Sequence, residues 1–171
     1  MKSTLRCSII AFAGLLASAA VLSANLYTFT LPLSGLQEVP QVVTPGSGTA
    51  TVTLDSETNE LTWDVSYENM LGTLTMAHFH GPADFGENAG VLVNMNPDLG
   101  SNTGTIVGSA TVTNEVRDNV LAGMTYINLH SSEFGAGELR GQVIPEPSTY
   151  ALLLGLGALA GVFVWRRRRS V

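Results

Sequence analysis

The stretch "GTATVTLDSETNELTWDVSY", residues 48 to 67, alternates apolar and polar side chains with a period of two. Ala50, Val52 and Leu54 interleave with Thr49, Thr51 and Thr53, and Leu61, Trp63, Val65 and Tyr67 interleave with Thr62, Asp64, Ser66 and Glu68. Successive side chains of a strand point to opposite faces, so each run carries one dry face and one wet face. Ser56-Glu57-Thr58-Asn59 between them is turn-forming, and the whole predicts a β-hairpin.

Working outward, similar runs recur at Tyr27 to Leu33, Thr73 to His80, Val91 to Met95, Thr103 to Thr113, Met124 to His130 and Glu138 to Val143. Eight short strands separated by Gly, Asn and Asp predict an antiparallel sandwich or barrel. "NEVRDNVLAG" (114 to 123) departs from that period: Asn114 is placed to cap a short helix carrying Val116, Val120 and Leu121, and Gly123 to stop it. An internal echo is also present. "ATVT" occurs at 50 to 53 and at 110 to 113, and "LGTLTMAHFH" (71 to 80) aligns with "LAGMTYINLH" (121 to 130), so that His80 and His130 would end equivalent strands at one height.

Both ends of the chain differ from this middle. Residues 1 to 24 read as a secretory signal peptide: Lys2 and Arg6, an apolar run from Ser8 to Val21, and small residues around Ala20 to Ala24. The single cysteine, Cys7, falls inside it, so a domain over 25 to 144 carries no thiol and no disulfide. The tail, 145 to 171, sets Pro145-Glu146-Pro147 ahead of an apolar run from Ala151 to Trp165 and a basic cap of Arg166, Arg167, Arg168 and Arg169. A transmembrane helix is expected over 149 to 165, its arginines acting as a membrane stop on the cytoplasmic side and the domain facing away from the cytoplasm. This order of motif, span and basic cap is similar to the PEP-CTERM sorting signal, which implies recognition and cleavage by an exosortase-type enzyme near Pro145-Glu146-Pro147. A plain C-terminal anchor is the alternative and shares the topology.

Over 25 to 144 there are thirteen acidic residues against only Arg117 and Arg140, a net charge of −11 where the whole chain carries −6. Such a domain is repelled by phosphate backbones and anionic lipid heads, which excludes nucleic acid as an expected partner. With only two cations available, a strand-borne Arg140 is expected to pair with a carboxylate, Glu138 being the candidate.

The candidate chemistry lies in three histidines. His78 and His80 share one face of a strand while Ala77 and Phe79 pack on the other, with Cβ atoms about 7 Å apart at a rise of roughly 3.3 Å per residue. His130, sharing its face with Tyr126 and Asn128, can supply a third nitrogen. Three readings stand: a hydrogen-bonded polar rim, a site for one ion such as zinc or copper, or catalysis. Ligation needs neutral imidazole, so a metal site would weaken below about pH 6.5. Other templates fail. Gly-x-Ser-x-Gly, a phosphate-binding glycine loop and His-Glu-x-x-His are missing, and Ser131 and Ser132 adjoin His130 without the pattern of a triad. Asp84, Glu87 and Asn88 offer oxygen ligands without EF-hand spacing and read as a solvated loop.

Five blocks in order, "LSGLQEVP" (33 to 40), "GTATVTLD" (48 to 55), "AHFHGPA" (77 to 83), "YINLH" (126 to 130) and "GELRGQV" (137 to 143), resemble the CHRD domain, the module named for chordin and found in secreted bacterial proteins. The resemblance implies a secreted all-β sandwich similar in architecture to copper–zinc superoxide dismutase, with His78, His80 and His130 on recurrent histidine positions. Three histidines cannot reproduce the larger two-metal ligand set of the dismutases. The expected fold is therefore an antiparallel Greek-key sandwich or barrel of about eight strands, superoxide-dismutase-like or immunoglobulin-like, flanked by a signal helix and a membrane helix. The expected function is a non-enzymatic envelope module, anchored in the inner membrane and then released to the surface or matrix, binding exopolysaccharide or other matrix components without an obligate cofactor. The alternative is a mononuclear metal protein or enzyme using zinc or copper at the three histidines.

Overall fold

The computed structural model describes residues 26–144, and the expected signal peptide, sorting motif and membrane helix lie outside the described residues. Within them run β1 (Leu26–Ser34), β2 (Ser47–Asp55), β3 (Glu60–Glu68), β4 (Leu74–His80), β5 (Val91–Asn94), β6 (Gly104–Thr111), α1 (Asn114–Leu121), β7 (Thr125–Ser131) and β8 (Leu139–Val143). Among the described residues no helix is long and apolar enough to cross a membrane.

The strands form one antiparallel sheet in the order β5-β4-β7-β8-β1-β2-β3-β6. β1 and β8 are paired in register only at Ser34 and Arg140, with Gly141 packed closely against Leu31 and Leu33, and the sheet divides there into two four-stranded halves. The halves close on each other: Trp63 of β3 meets Phe79 of β4 edge to face, with ring centroids 5.5 Å apart. The edge strands β5 and β6 approach each other beside Val93, Ala110 and Val112 across a gap of about 290 Å³, leaving a nearly closed barrel-like sheet.

The opening hairpin shows how the sequence drives this. Ala50, Val52 and Leu54 pair with Val65, Trp63 and Leu61 and are buried, while the threonines between them face outward. At the turn the Asp55 carboxylate accepts the amide hydrogens of Glu57 and Thr58 at 2.9 and 3.2 Å, and Asn59 takes the left-handed conformation at φ 59°. The buried faces of all the strands merge into one core that includes Phe29, Leu33, Leu74, Ile127 and Leu139. Removing a large side chain from such a core costs about 2–5 kcal/mol.

The helix starts one step differently from the sequence reading. Thr113, with extended backbone, is the N-cap, and its hydroxyl accepts the Val116 N–H at 3.3 Å. Asn114 lies inside the helix and instead accepts from Asn59 and Arg117. α1 buries Val120 against the core and ends ahead of Gly123, which has φ 75°.

Candidate metal centre

After the register shift between Leu74 and Met76, the even-numbered residues Met76, His78 and His80 of β4 point away from the core, as do their partners on β7 and β8. The register places His78 opposite Asn128, His80 opposite Tyr126, Asn128 opposite Arg140 and Tyr126 opposite Gln142. Alternation alone makes this the wet face, yet all seven residues of β7 and all five of β8 are buried. Three loops cover them. The loop after β1 carries Glu38 onto Asn128, the loop after β4 brings Asn88 and Ala89 onto Arg140, Tyr126 and His80, and the loop before β8 brings Gly135 and Ala136 onto His130 and Asn128. Asn88 also donates to the Val39 carbonyl at 2.7 Å, tying two of the loops together.

Beneath these loops the three histidines meet. One ring nitrogen from each of His78, His80 and His130 lies within 4.8 Å of the other two. The three residues are only 9, 8 and 6 % exposed. The convergence does not follow the sequence echo. Because β4 and β7 are antiparallel neighbours, His130 lies opposite Met76, four positions along from the partner of His80, and not at the height of His80. The rings reach the same point by leaning along the strands: centroids are 5.1 Å apart for His78 and His130 and 5.7 Å for His80 and His130.

Hydrogen bonds settle which nitrogens are free. The carbonyls of Ala89 and Gly135 can only accept, so Nδ1 of His80 and Nδ1 of His130, each at 3.0 Å, carry protons. Nε2 of both rings therefore presents a lone pair. His78 Nδ1 lies 3.2 Å from His130 Nε2 and donates to it, whereas His80 Nε2 is buried without a partner. A tetrahedral ion with metal–nitrogen distances of about 2.0–2.1 Å sets its ligands about 3.4 Å apart, a spacing the His78–His130 pair already has. The backbone carbonyls behind His80 and His130 are the outer-shell acceptors that orient ligating imidazoles. The donor set therefore fits one transition-metal ion.

The electrostatics act in the same direction. Burial pulls all three imidazoles below the ordinary value of 6.5, with mutual repulsion among the rings adding to it and, at His80, the nearby Arg140 charge. Hydrogen bonds to Ala89 and Gly135 oppose the shift at His80 and His130 without reversing it. Neutral rings are the form that binds metal.

Glu138 and Arg140 do not form the expected pair. The Glu138 carboxylate accepts from the Thr44 hydroxyl and the Leu71 N–H, each at 2.6 Å, and from the Gly72 N–H at 3.2 Å. Burial pushes its pKa up, but these bonds outweigh it and hold the group below its ordinary value. Arg140 instead lies over the Tyr126 ring and donates to Asn88 at 3.1 Å and Gln142 at 3.2 Å. The physical reason is that Glu138 lies ahead of β8, just after Gly137 at φ 138°, where the Thr44 hydroxyl and the Leu71 and Gly72 amides supply donors for its carboxylate. A side chain at Gly137 would collide with Asn128 and Glu38.

Glu38 was not singled out by its sequence context. It is 5 % exposed, and burial raises its pKa to about 7 against the opposing charge of Arg140 and the Asn128 hydrogen bond. It lines a cleft of about 830 Å³ that also borders His80, Tyr126, Asn128 and Phe134. A second groove of about 580 Å³, on the other half-sheet between Thr49, Ser66 and Thr105, contains no histidine and stands apart from this chemistry. Of the loop residues Asp84, Glu87 and Asn88, only Asn88 reaches the centre, as a hydrogen-bond bridge.

The PEP-CTERM protein-sorting motif matches residues 143–169. No curated protein and no solved structure matches the chain significantly. The CHRD domain matches residues 29–143, which takes in nearly every strand and all three histidines, and the chain belongs to the CHRD domain family.

Proposed function

We propose that this is an exported, surface-associated β-domain protein that works by binding, without turnover, and that His78, His80 and His130 hold one transition-metal ion. The observation that carries the metal reading is the convergence of three ring nitrogens within 4.8 Å, one of them buried without a partner. Buried unpartnered polar atoms are costly, and an ion at this point would satisfy all three rings at once. To ligate, His78 shifts its proton from Nδ1 to Nε2, a tautomer change with no net proton released. The near-complete burial of the rings beneath the loops favours holding an ion over processing a substrate.

The sorting motif supports the rest of the reading. It implies an exosortase-type processing enzyme for an exported, membrane-anchored and then processed protein. To this our reading adds Arg166 to Arg169 on the cytoplasmic side, release to the surface or matrix, and exopolysaccharide or other matrix components as partners. Passage of the chain between half-sheets at β3–β4, β5–β6 and β6–β7 supports a Greek-key sandwich. Titration of the purified full chain with zinc(II) and with copper, each against a competing chelator, tests the metal reading. One equivalent bound by the wild type and none by His80→Gln is expected. No binding at micromolar metal by the wild type leaves the cluster with a structural role only.

A further inference from the structure

We infer that the triad selects monovalent copper over zinc and that the thioether of Met76 serves as its soft fourth ligand. This rests on the metal-binding reading above and names the ion that the reading leaves open.

Met76 is directly opposite His130 in the β4–β7 register and two residues before His78 on the same face of β4. Directly opposed residues have Cβ atoms about 5 Å apart, within reach of a flexible methionine side chain. Its neighbours on this face are buried under loops, yet Met76 is 45 % exposed and belongs to no part of the core. Met76 thus presents an unbranched thioether, outside the core, on the strand face that carries the three imidazoles. It does match the ligand chemistry of copper(I), which favours sulfur and imidazole donors, whereas zinc sites without cysteine draw on carboxylate or water oxygen.

Charge points the same way. The close nitrogen group consists of histidines alone, with no carboxylate to offset the ion. On the far side of the Tyr126 ring from His80 lies the Arg140 guanidinium, 1 % exposed and hydrogen-bonded to the neutral side chains of Asn88 and Gln142. A dication here adds two positive charges beside a buried third, and a monovalent ion adds one. In a medium of low dielectric constant that repulsion falls in proportion to the charge. Two acidic residues are buried: Glu38, which offsets part of the Arg140 charge but is held protonated up to about pH 7 by its burial, and Glu138, which is engaged by Thr44, Leu71 and Gly72. The others lie mostly in solvent, where screening leaves them little leverage on a buried centre.

The test uses the full chain, titrated without oxygen with copper(I) against bathocuproine disulfonate and separately with zinc(II) against a zinc chelator. Met76→Leu, a surface change checked for folding by circular dichroism, is expected to weaken copper(I) binding by about tenfold or more and leave zinc(II) within about twofold. X-ray absorption at the copper edge is expected to show one sulfur neighbour in the wild type and none in Met76→Leu. Equal weakening of both metals, or a copper spectrum without sulfur in the wild type, overturns the assignment of Met76 and copper while the metal site itself stands. Failure of both ions to bind the wild type overturns the metal reading, and this inference with it.

Discussion

His80 lies flat against Tyr126, with ring centroids 5.1 Å apart and planes 8° from parallel. β7 runs between β4 and β8, so the same tyrosine ring is flanked on its other side by Arg140, whose guanidinium carbon is 3.5 Å from the centroid. One side chain thus carries a candidate ligand, a buried cation and a loop. The Tyr126 hydroxyl accepts the Ala89 N–H at 3.0 Å and donates back to the Ala89 carbonyl at 3.4 Å.

Two substitutions separate these roles. Tyr126→Phe keeps the stack and loses only the hydroxyl, and is expected to cost about 1 kcal/mol in denaturant unfolding. Tyr126→Ala removes the stack, the cation–π contact and the ring volume together, and is expected to cost about 3–5 kcal/mol. Equal costs for the two would show that the ring contributes nothing beyond its hydroxyl.

Glu138 and Arg140 are close in sequence but have separate partners, so their energies should add. Glu138→Gln keeps one acceptor oxygen for Thr44 and Leu71 but sets an NH2 group against the Gly72 N–H and removes the charge from three hydrogen bonds, and is expected to cost about 1–3 kcal/mol. Arg140→Met is expected to be destabilising on its own account through Asn88, Gln142 and Tyr126. A double-mutant cycle by chemical denaturation should return a coupling below about 0.5 kcal/mol. A coupling of about 2 kcal/mol or more would restore the direct ion pair.

The strands were legible in the sequence because alternation reports one thing directly, which side of the sheet is dry. Ala50, Val52, Leu61 and Trp63 are buried as that pattern requires. Alternation is silent about a second layer. Tyr126, Asn128 and His130 alternate with Ile127 and Leu129 as though for solvent, and only the loops over them make that face buried. The common face of His78 and His80 was legible for the same reason, whereas the height of His130 depends on strand order, which no local pattern encodes. Glu138 was beyond reach in another way: its partners Thr44 and Leu71 are 94 and 67 residues away in the chain. Arg140 sits two residues away, and sequence proximity favoured it.

The tail makes its own test. Fifteen apolar residues from Ala151 to Trp165 are at the short end of what spans a bilayer, and four arginines follow. Such an anchor suits a sorting intermediate. Expression in hosts with and without an exosortase should give a shorter, released form only in the former, read by intact mass, and Glu146→Ala should abolish the difference. The same membrane-bound mass in both hosts would favour a permanent anchor.

Two groups of opposite sign govern stability against pH in the metal-free protein. Burial holds His78, His80 and His130 below their ordinary 6.5, so the unfolded chain binds more protons once the pH drops under that value. Their contribution is whole above about pH 6.5 and is lost as the pH falls toward the folded values. Glu38 behaves conversely. Burial raises it from 4.5 to about 7, so the folded state holds the extra proton, and that contribution is whole below 4.5 and lost as the pH rises through 7. Glu38→Gln imitates the protonated carboxyl and should therefore stabilise the protein at pH 8, by at most about 3 kcal/mol, with the gain fading toward pH 5. His80→Gln should instead flatten the acid limb and leave the alkaline limb unchanged. Urea unfolding at pH 5, 6, 7 and 8 with a chelator present measures both limbs. If Glu38→Gln runs parallel to the wild type across that range, Glu38 does not carry the alkaline loss, and the cleft beside His80 holds its carboxylate without penalty.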